Sequence, residues 1–153
     1  EFGLFGQLSQ MAIDPTASYI MRRDAVRTYQ WVQDLDDASG IEGEWNDASA
    51  ELGPAVSRML QLIGAVYLPY LEANAEAAAQ SKEVFSTSLD GRDFTARVVP
   101  YRVSCLRWLR AALGEVAGEP RARLEGILRR HGCWDRLQPT PQDREAMPPL
   151  RPR

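Results

Sequence analysis

The sequence predicts an all-α helical bundle carrying one small β-hairpin near residues 83–99. Three observations predict it. Apolar side chains recur at three- and four-residue spacing through most of the chain, the repeat of a helix with one buried face. Pro15, Pro54 and Pro100 stand where a helix begins, since the first helical turn does not use the missing N–H. A single strand-like run, Glu83 to Leu89, turns back at Asp90-Gly91, the favoured two-residue hairpin pair.

In chain order, Phe2, Phe5, Leu8 and Met11 form an opening helical stripe that Leu4 widens. A helix apolar over so much of its girth is expected at the centre of a core. Asp14 caps and Pro15 restarts the chain, so a short helix follows through Arg22 or Arg23. Another runs from about Asp24 to Asp37, burying Ala25, Tyr29 and Val32, with Trp31 and Leu35 at its flank. Residues 38–53 hold Gly40, Gly43, Gly53 and four acidic side chains; they read as a loop anchored by Trp45, or equally as a domain boundary.

Pro54 opens the longest helix, with an inward stripe of Val56, Met59, Leu60, Ile63, Tyr67 and Leu71. Pro69 lies inside it and predicts a kink, because it removes a donor and crowds the carbonyl four residues back. The alanines at 73, 75 and 77–79 carry the helix on to about Gln80. The hairpin follows, and must lie on the helices, since an isolated hairpin is marginal in water. Pro100 then opens a helix whose inward stripe reads Tyr101, Cys105, Trp108, Leu109, Ala112, Leu113 and Val116. Gly118-Glu119-Pro120 breaks it, and a last helix turns Leu124, Ile127 and Leu128 inward before Gly132. The folded domain is read as residues 1–137, and the proline-rich residues 138–153 as a disordered tail.

Composition excludes several classes. At 153 residues the chain holds one domain's worth of core, with 44% apolar and 25% charged residues. No run of about 18 apolar residues exists to span a membrane. The first half has acidic polar faces that anionic lipid repels, so no membrane partner is expected. The net charge of −3 divides into −8 over residues 1–100 and +5 over residues 101–153. The arginines of the second part are spread around helices beside Glu115, Glu119 and Glu125, which reads as a solvated face and not a nucleic-acid footprint. Two cysteines, Cys105 and Cys133, make neither a disulfide framework nor a zinc motif, and fit a reducing, cytoplasmic setting.

No self-contained chemistry emerges. His131 is the one histidine and falls at a helix end, where it reads as structural. No nucleotide-binding loop or metalloprotease pattern is present, and the acidic groups Asp34, Asp36, Asp37, Glu42 and Glu44 lie on a helix end and an open loop. No metal and no cofactor are expected in this chain.

The segment Phe2-Gly3-Leu4-Phe5-Gly6-Gln7-Leu8 resembles the start of the buried helix in glutathione transferase C-terminal domains. There a Ser/Thr-x-x-Asp capping box precedes the apolar run; here Glu1 stands at the Asp position, and the capping residue would precede residue 1. Asp14-Pro15-Thr16, Met21-Arg22-Arg23 and Trp31-Val32-Gln33-Asp34-Leu35-Asp36-Asp37 are similar to the next two helices of bacterial members. The hairpin around Gly91-Arg92, then Tyr101-Arg102 and Cys105 to Arg110, is similar to the C-terminal extension of one bacterial subgroup. The resemblance covers about residues 1–137 and consists of packing motifs, not catalytic signatures.

The resemblance implies a parent that conjugates glutathione, its co-substrate, to an electrophile. It also implies that the partner is a thioredoxin-like domain of the same parent, which holds glutathione and the activating residue. The chain then reads as a fragment that is inactive alone, with homo-oligomerisation an open expectation. No catalytic residue transfers by position; Phe2, Phe5, Tyr101 and Arg102 are the candidates for a substrate-pocket wall. The alternative is a non-catalytic helical interaction module.

Overall fold

The computed structural model describes residues 2–40, 42–44 and 51–140, with the side chain of Phe2 excepted. It is mostly helical, with one two-stranded antiparallel sheet. Its contacts group into two compact units, Glu1–Ala50 and Glu51–Arg153. The division falls inside residues 38–53, read from sequence as loop or boundary. Trp45 and residues 141–153 of the expected tail lie outside the described residues.

The first unit holds α1 (Phe2–Ile13), α2 (Pro15–Asp24) and α3 (Val26–Asp36). Asp14 caps α2 as expected: its Oδ1 accepts the Thr16 and Ala17 N–H groups at 3.0 and 2.8 Å, with Pro15 next in the first turn. Arg22 lies over the Tyr29 ring and Arg23 over that of Tyr19. Arg23 also pairs with Asp24 in solvent, and that hydrogen-bonded guanidinium holds the carboxyl below its usual value. Among the described residues of this unit the buried hydrophobics are Met21 and Val32, while Ala25 and Tyr29, expected inside, are half-buried. The expectation of a central opening helix is not met. Among the described side chains of α1 none is buried, Leu4 and Met11 are exposed, and Ile13 is 82% exposed.

The second unit holds α4 (Pro54–Leu62), α5 (Leu68–Ala79), β1 (Val84–Leu89), β2 (Arg92–Arg97), α6 (Pro100–Glu115), α7 (Gly118–Arg130) and a 3₁₀ turn, Asp135–Leu137. Between α4 and α5 the chain makes a π-helical turn, Ile63–Tyr67, where a kink at Pro69 is expected. The cause is the same proline: Pro69 has no N–H for the Ala65 carbonyl, and the Leu68 N–H reaches back five residues to Ile63 O. One inserted residue rotates the face that follows by about 100°. From the turn onward the inward face therefore runs through Gly64, Leu68, Leu71, Asn74 and Ala77; of the expected stripe Leu71 is buried and Tyr67 is exposed, and Val56 and Met59, which precede the turn, are exposed as well. Gly64 is required here. A Cβ on it would sit 2.2 Å from His131 O, so the π turn packs directly on the end of α7.

Helix α5 ends with the Ser81 N–H on Ala78 O and the Lys82 N–H on Ala77 O, both 3.0 Å, and with Ser81 left-handed at φ 55°. The hairpin forms as read. Asp90 (φ 50°) and Gly91 (φ 76°) make a type I′ turn, and the register pairs Leu89 with Arg92 and Val84 with Arg97. Phe85 is buried, and the Tyr70 ring of α5 meets those of Phe85 and Phe94 at 5.5 and 5.9 Å.

Asn74, fully buried, ties this layer to α6: its Nδ2 donates to Val99 O at 3.1 Å, and its Oδ1 accepts the Val99 N–H at 2.8 Å. Helix α6 then packs on α5 through Leu106 and Leu113; of the expected stripe Leu113 is buried and Cys105 and Val116 are half-buried, whereas Tyr101, Trp108 and Leu109 are exposed. Helix α7 closes as expected on Gly132 (φ 69°), with the Gly132 N–H on Arg129 O and the Cys133 N–H on Leu128 O. Leu68, Leu71, Leu106, Leu113, Leu128, Cys133 and Trp134 form one core cluster.

Asn74→Ala is expected to lower stability by about 2–3 kcal/mol through its two lost hydrogen bonds, and Asn74→Asp by more, since a buried carboxylate would face Val99 O. Ser81→Gly is expected to stabilise by up to about 1 kcal/mol by relieving the left-handed serine. Urea unfolding midpoints of the three variants check both.

Candidate functional site

An open groove of about 670 Å³ lies between α5 and α6, bordered by Glu72, Glu76, Ala79, Arg107, Arg110 and Thr140. Its small-residue floor follows from α5, where Ala75, Ala78 and Ala79 leave room between the helices. At one end sits a charged cluster. Arg110 of α6 donates from Nε and Nη2 to Arg136 O at 3.1 and 3.0 Å, and its Nη2 stands 3.5 Å from Glu72 Oε1. Arg136, at the 3₁₀ turn, donates to the other Glu72 oxygen. The Arg110 side chain is only 12% exposed, so its charge is held by this carboxylate and carbonyl. The arrangement joins α5, α6 and the segment after α7. A cluster satisfied in this way fixes geometry; it does not present a nucleophile or a base.

A second set of arginines serves helix ends. Arg121 donates to Leu113 O at 2.7 Å and Val116 O at 3.3 Å, closing the C-terminus of α6, where the helix dipole favours a cation. Arg121 and Arg129 also lie over the ring of buried Trp134, at 5.2 and 5.5 Å. The arginines of the second half, read from sequence as a solvated face, are thus partly built into the core's edge.

The residues singled out from sequence are placed as follows. The Phe2 side chain lies outside the described residues, and Phe5 is half-buried on α1 in the first unit. Tyr101 is 66% exposed at the start of α6, its ring edge-on to Trp108 at 5.9 Å. Arg102 is half-buried, with its guanidinium 5.1 Å from the centre of the Tyr70 ring. Tyr101 and Arg102 stand next to each other in sequence, yet neither borders the α5–α6 groove. Glu72, Arg110 and Arg136 are not among the site residues expected from sequence. A signal was available: Val103, Leu106, Arg110 and Leu113 recur at helical spacing, a face on which Arg110 must find partners.

The one cysteine–histidine neighbourhood is also structural. Cys133 Sγ lies 3.4 Å from Leu60 O and 3.5 Å from His131 O, so the thiol faces carbonyls. The His131 Nδ1 is 2.8 Å from Ile127 O and must carry the proton, since a carbonyl only accepts. Burial pushes the Cys133 thiol up from its ordinary value, against a smaller opposing pull from Arg136. Among the described residues no group of three or more His, Cys, Asp or Glu side chains is placed to hold a metal ion. Nor, among them, is any helix long and apolar enough to cross a membrane. Comparisons with models of protein families, with curated proteins and with solved structures found no match.

Two measurements check this account of the thiols. Cys105, half-buried, is expected to react with a thiol reagent in the native protein, and Cys133 only at the rate of opening. The raised Cys133 value also has a sign. The folded state keeps the proton that the unfolded chain releases near the ordinary thiol value of about 8.5, so stability falls as pH rises above it. Cys133→Ala should remove that alkaline decline from urea midpoints measured between about pH 7 and 10.

Proposed function

We propose that this chain is the helical portion of a glutathione transferase-like protein, whose parent conjugates glutathione to an electrophile in the cytoplasm. In this reading it supplies docking surface and pocket wall, and a thioredoxin-like domain of the parent supplies glutathione and its activation. One observation carries the proposal. The first unit, which carries part of the resemblance, has Met21 and Val32 as the buried hydrophobics among its described residues, while Leu4, Met11, Ile13, Tyr19 and Ile20 are exposed. Helices that present this much apolar surface and bury so little gain stability by covering it with a neighbour.

The chemistry supports the same division of labour. A glutathione transferase lowers the pKa of the glutathione thiol with a positioned hydroxyl or thiol. Of the described tyrosine and cysteine side chains, Cys133 faces carbonyls, Tyr70 packs on the hairpin, and Tyr101 stands out on α6. The wall candidates of this reading are Phe2, Phe5, Tyr101 and Arg102.

A second reading, a non-catalytic module that docks another protein, draws on the second unit. There Val56, Met59 and Leu62 of α4, with Tyr101, Trp108 and Leu109 of α6, offer apolar helical faces to solvent.

Purified alone, the chain is expected to transfer no glutathione to a chlorodinitrobenzene acceptor and to pass through immobilised glutathione unretained. Joined to the thioredoxin-like domain of its parent, it is expected to catalyse the transfer and to be retained on immobilised glutathione. Specific elution of the isolated chain by free glutathione would contradict the division of labour. A parent whose neighbouring domain is of another kind would favour the docking module.

A further inference from the structure

The hairpin offers an edge that the fold does not use. The Val98 N–H donates to Glu83 O, so these residues form a hydrogen-bonded pair, and by alternation so do Ala96 with Phe85, Phe94 with Thr87 and Arg92 with Leu89. The N–H and C=O groups of Asp93, Thr95 and Arg97 therefore point away from β1. The sheet has two strands, and β2 is exposed along its length apart from half-buried Ala96. Among the described residues no backbone group meets this edge, and neither Asp93 nor Arg97 has an ion-pair partner.

Charges on an edge strand ordinarily keep other strands away. Here their order does the opposite for one partner. If two copies of β2 pair antiparallel with Thr95 opposite Thr95, then Asp93 of each copy lies opposite Arg97 of the other. The three outward-pointing residues meet one another, which is the condition for hydrogen-bonded pairs along the whole contact. Both oppositely charged pairs lie on the face of the sheet turned away from Tyr70, since Phe94 occupies the other. A shift by one residue would set outward-pointing backbone groups against inward-pointing ones. A shift by two would break the charge match.

We infer that the exposed edge of β2 is a homodimerisation surface, on which a second copy of this chain adds its own β2 to form a continuous four-stranded sheet. The occupant follows from self-complementarity: the edge carries an acidic and a basic residue equidistant from Thr95, so a two-fold axis at Thr95 pairs every charge. The contact is short, and its association is correspondingly weak and salt-dependent.

Sedimentation of the full chain, with circular dichroism as a check on folding, tests this through charge inversion. Arg97→Asp sets like charges opposite at both ends and should weaken self-association by about tenfold or more, as should Asp93→Arg. The double variant Asp93→Arg, Arg97→Asp restores both pairs and should return within about threefold of the natural chain. In a Cys105→Ser background, Thr95→Cys should crosslink two copies under mild oxidation, since hydrogen-bonded partners lie about 5.5 Å apart between Cα atoms. Ser88→Cys, on β1 and away from the axis, should not. A chain that stays monomeric at every accessible concentration overturns the inference. So does association that is indifferent to the single inversions, or crosslinking through Ser88→Cys as fast as through Thr95→Cys.

Discussion

Asn74 and the backbone of Val99 make the contact on which the second unit depends. Val99 precedes a proline and enters α6 in an extended conformation, with no side-chain oxygen to cap the helix that follows. Pro100 marks the helix start locally, but no side chain caps it. The buried amide of Asn74 ties that start to α5 from 25 residues away, accepting from the Val99 N–H and donating to its carbonyl. One side chain on α5 thereby holds both the end of the hairpin and the start of the next helix. With that point set, Leu106 and Leu113 of α6 reach Leu68 and Leu71, and Arg110 lies beside Glu72. A buried amide with both functions satisfied is among the stronger ways to specify one arrangement, because each alternative leaves a polar group unpaired.

Parts of this fold are legible because a single residue type dictates local geometry. Asp14-Pro15 could only start a helix, Asp90-Gly91 supplies the two positive φ angles of a tight hairpin, and Gly132 supplies the one that ends α7. The helical faces are harder to read, for two physical reasons. Pro69 does not merely bend its helix; its missing donor is absorbed by a π turn, and the added residue moves the buried stripe from Tyr67 to Leu68. In α6 the inward face carries Arg102 and Arg110, which a hydrophobic stripe counts as surface. One stacks on Tyr70 and the other is held by Arg136 O and Glu72. Of the apolar row chosen from sequence, Leu113 faces the core while Tyr101, Trp108 and Leu109 face outward.

The same distinction bears on function. The site residues expected from sequence were aromatics and an arginine at helix starts, and the structure brings Tyr101 to Trp108 and Arg102 to Tyr70. The cluster that does gather charges, Glu72 with Arg110 and Arg136, belongs to packing; the helical face marks Arg110, but its partners lie on two other elements that the sequence does not bring together. The two units also differ in kind. The second closes a core around Leu71 and Cys133, whereas the first leaves Leu4, Met11, Ile13, Tyr19 and Ile20 of α1 and α2 exposed. Under the function proposed above, that surface is the part a neighbouring domain covers.

Native-state hydrogen exchange tests this contrast most directly, because it reads local stability residue by residue. The account predicts slow exchange, near the global unfolding limit, for the Val99 amide and the middle of α5 and α6, and exchange orders of magnitude faster through α1, α2 and α3. Equal protection across α1 and α5 would contradict it, showing that the first unit is stabilised as fully as the second without a further partner.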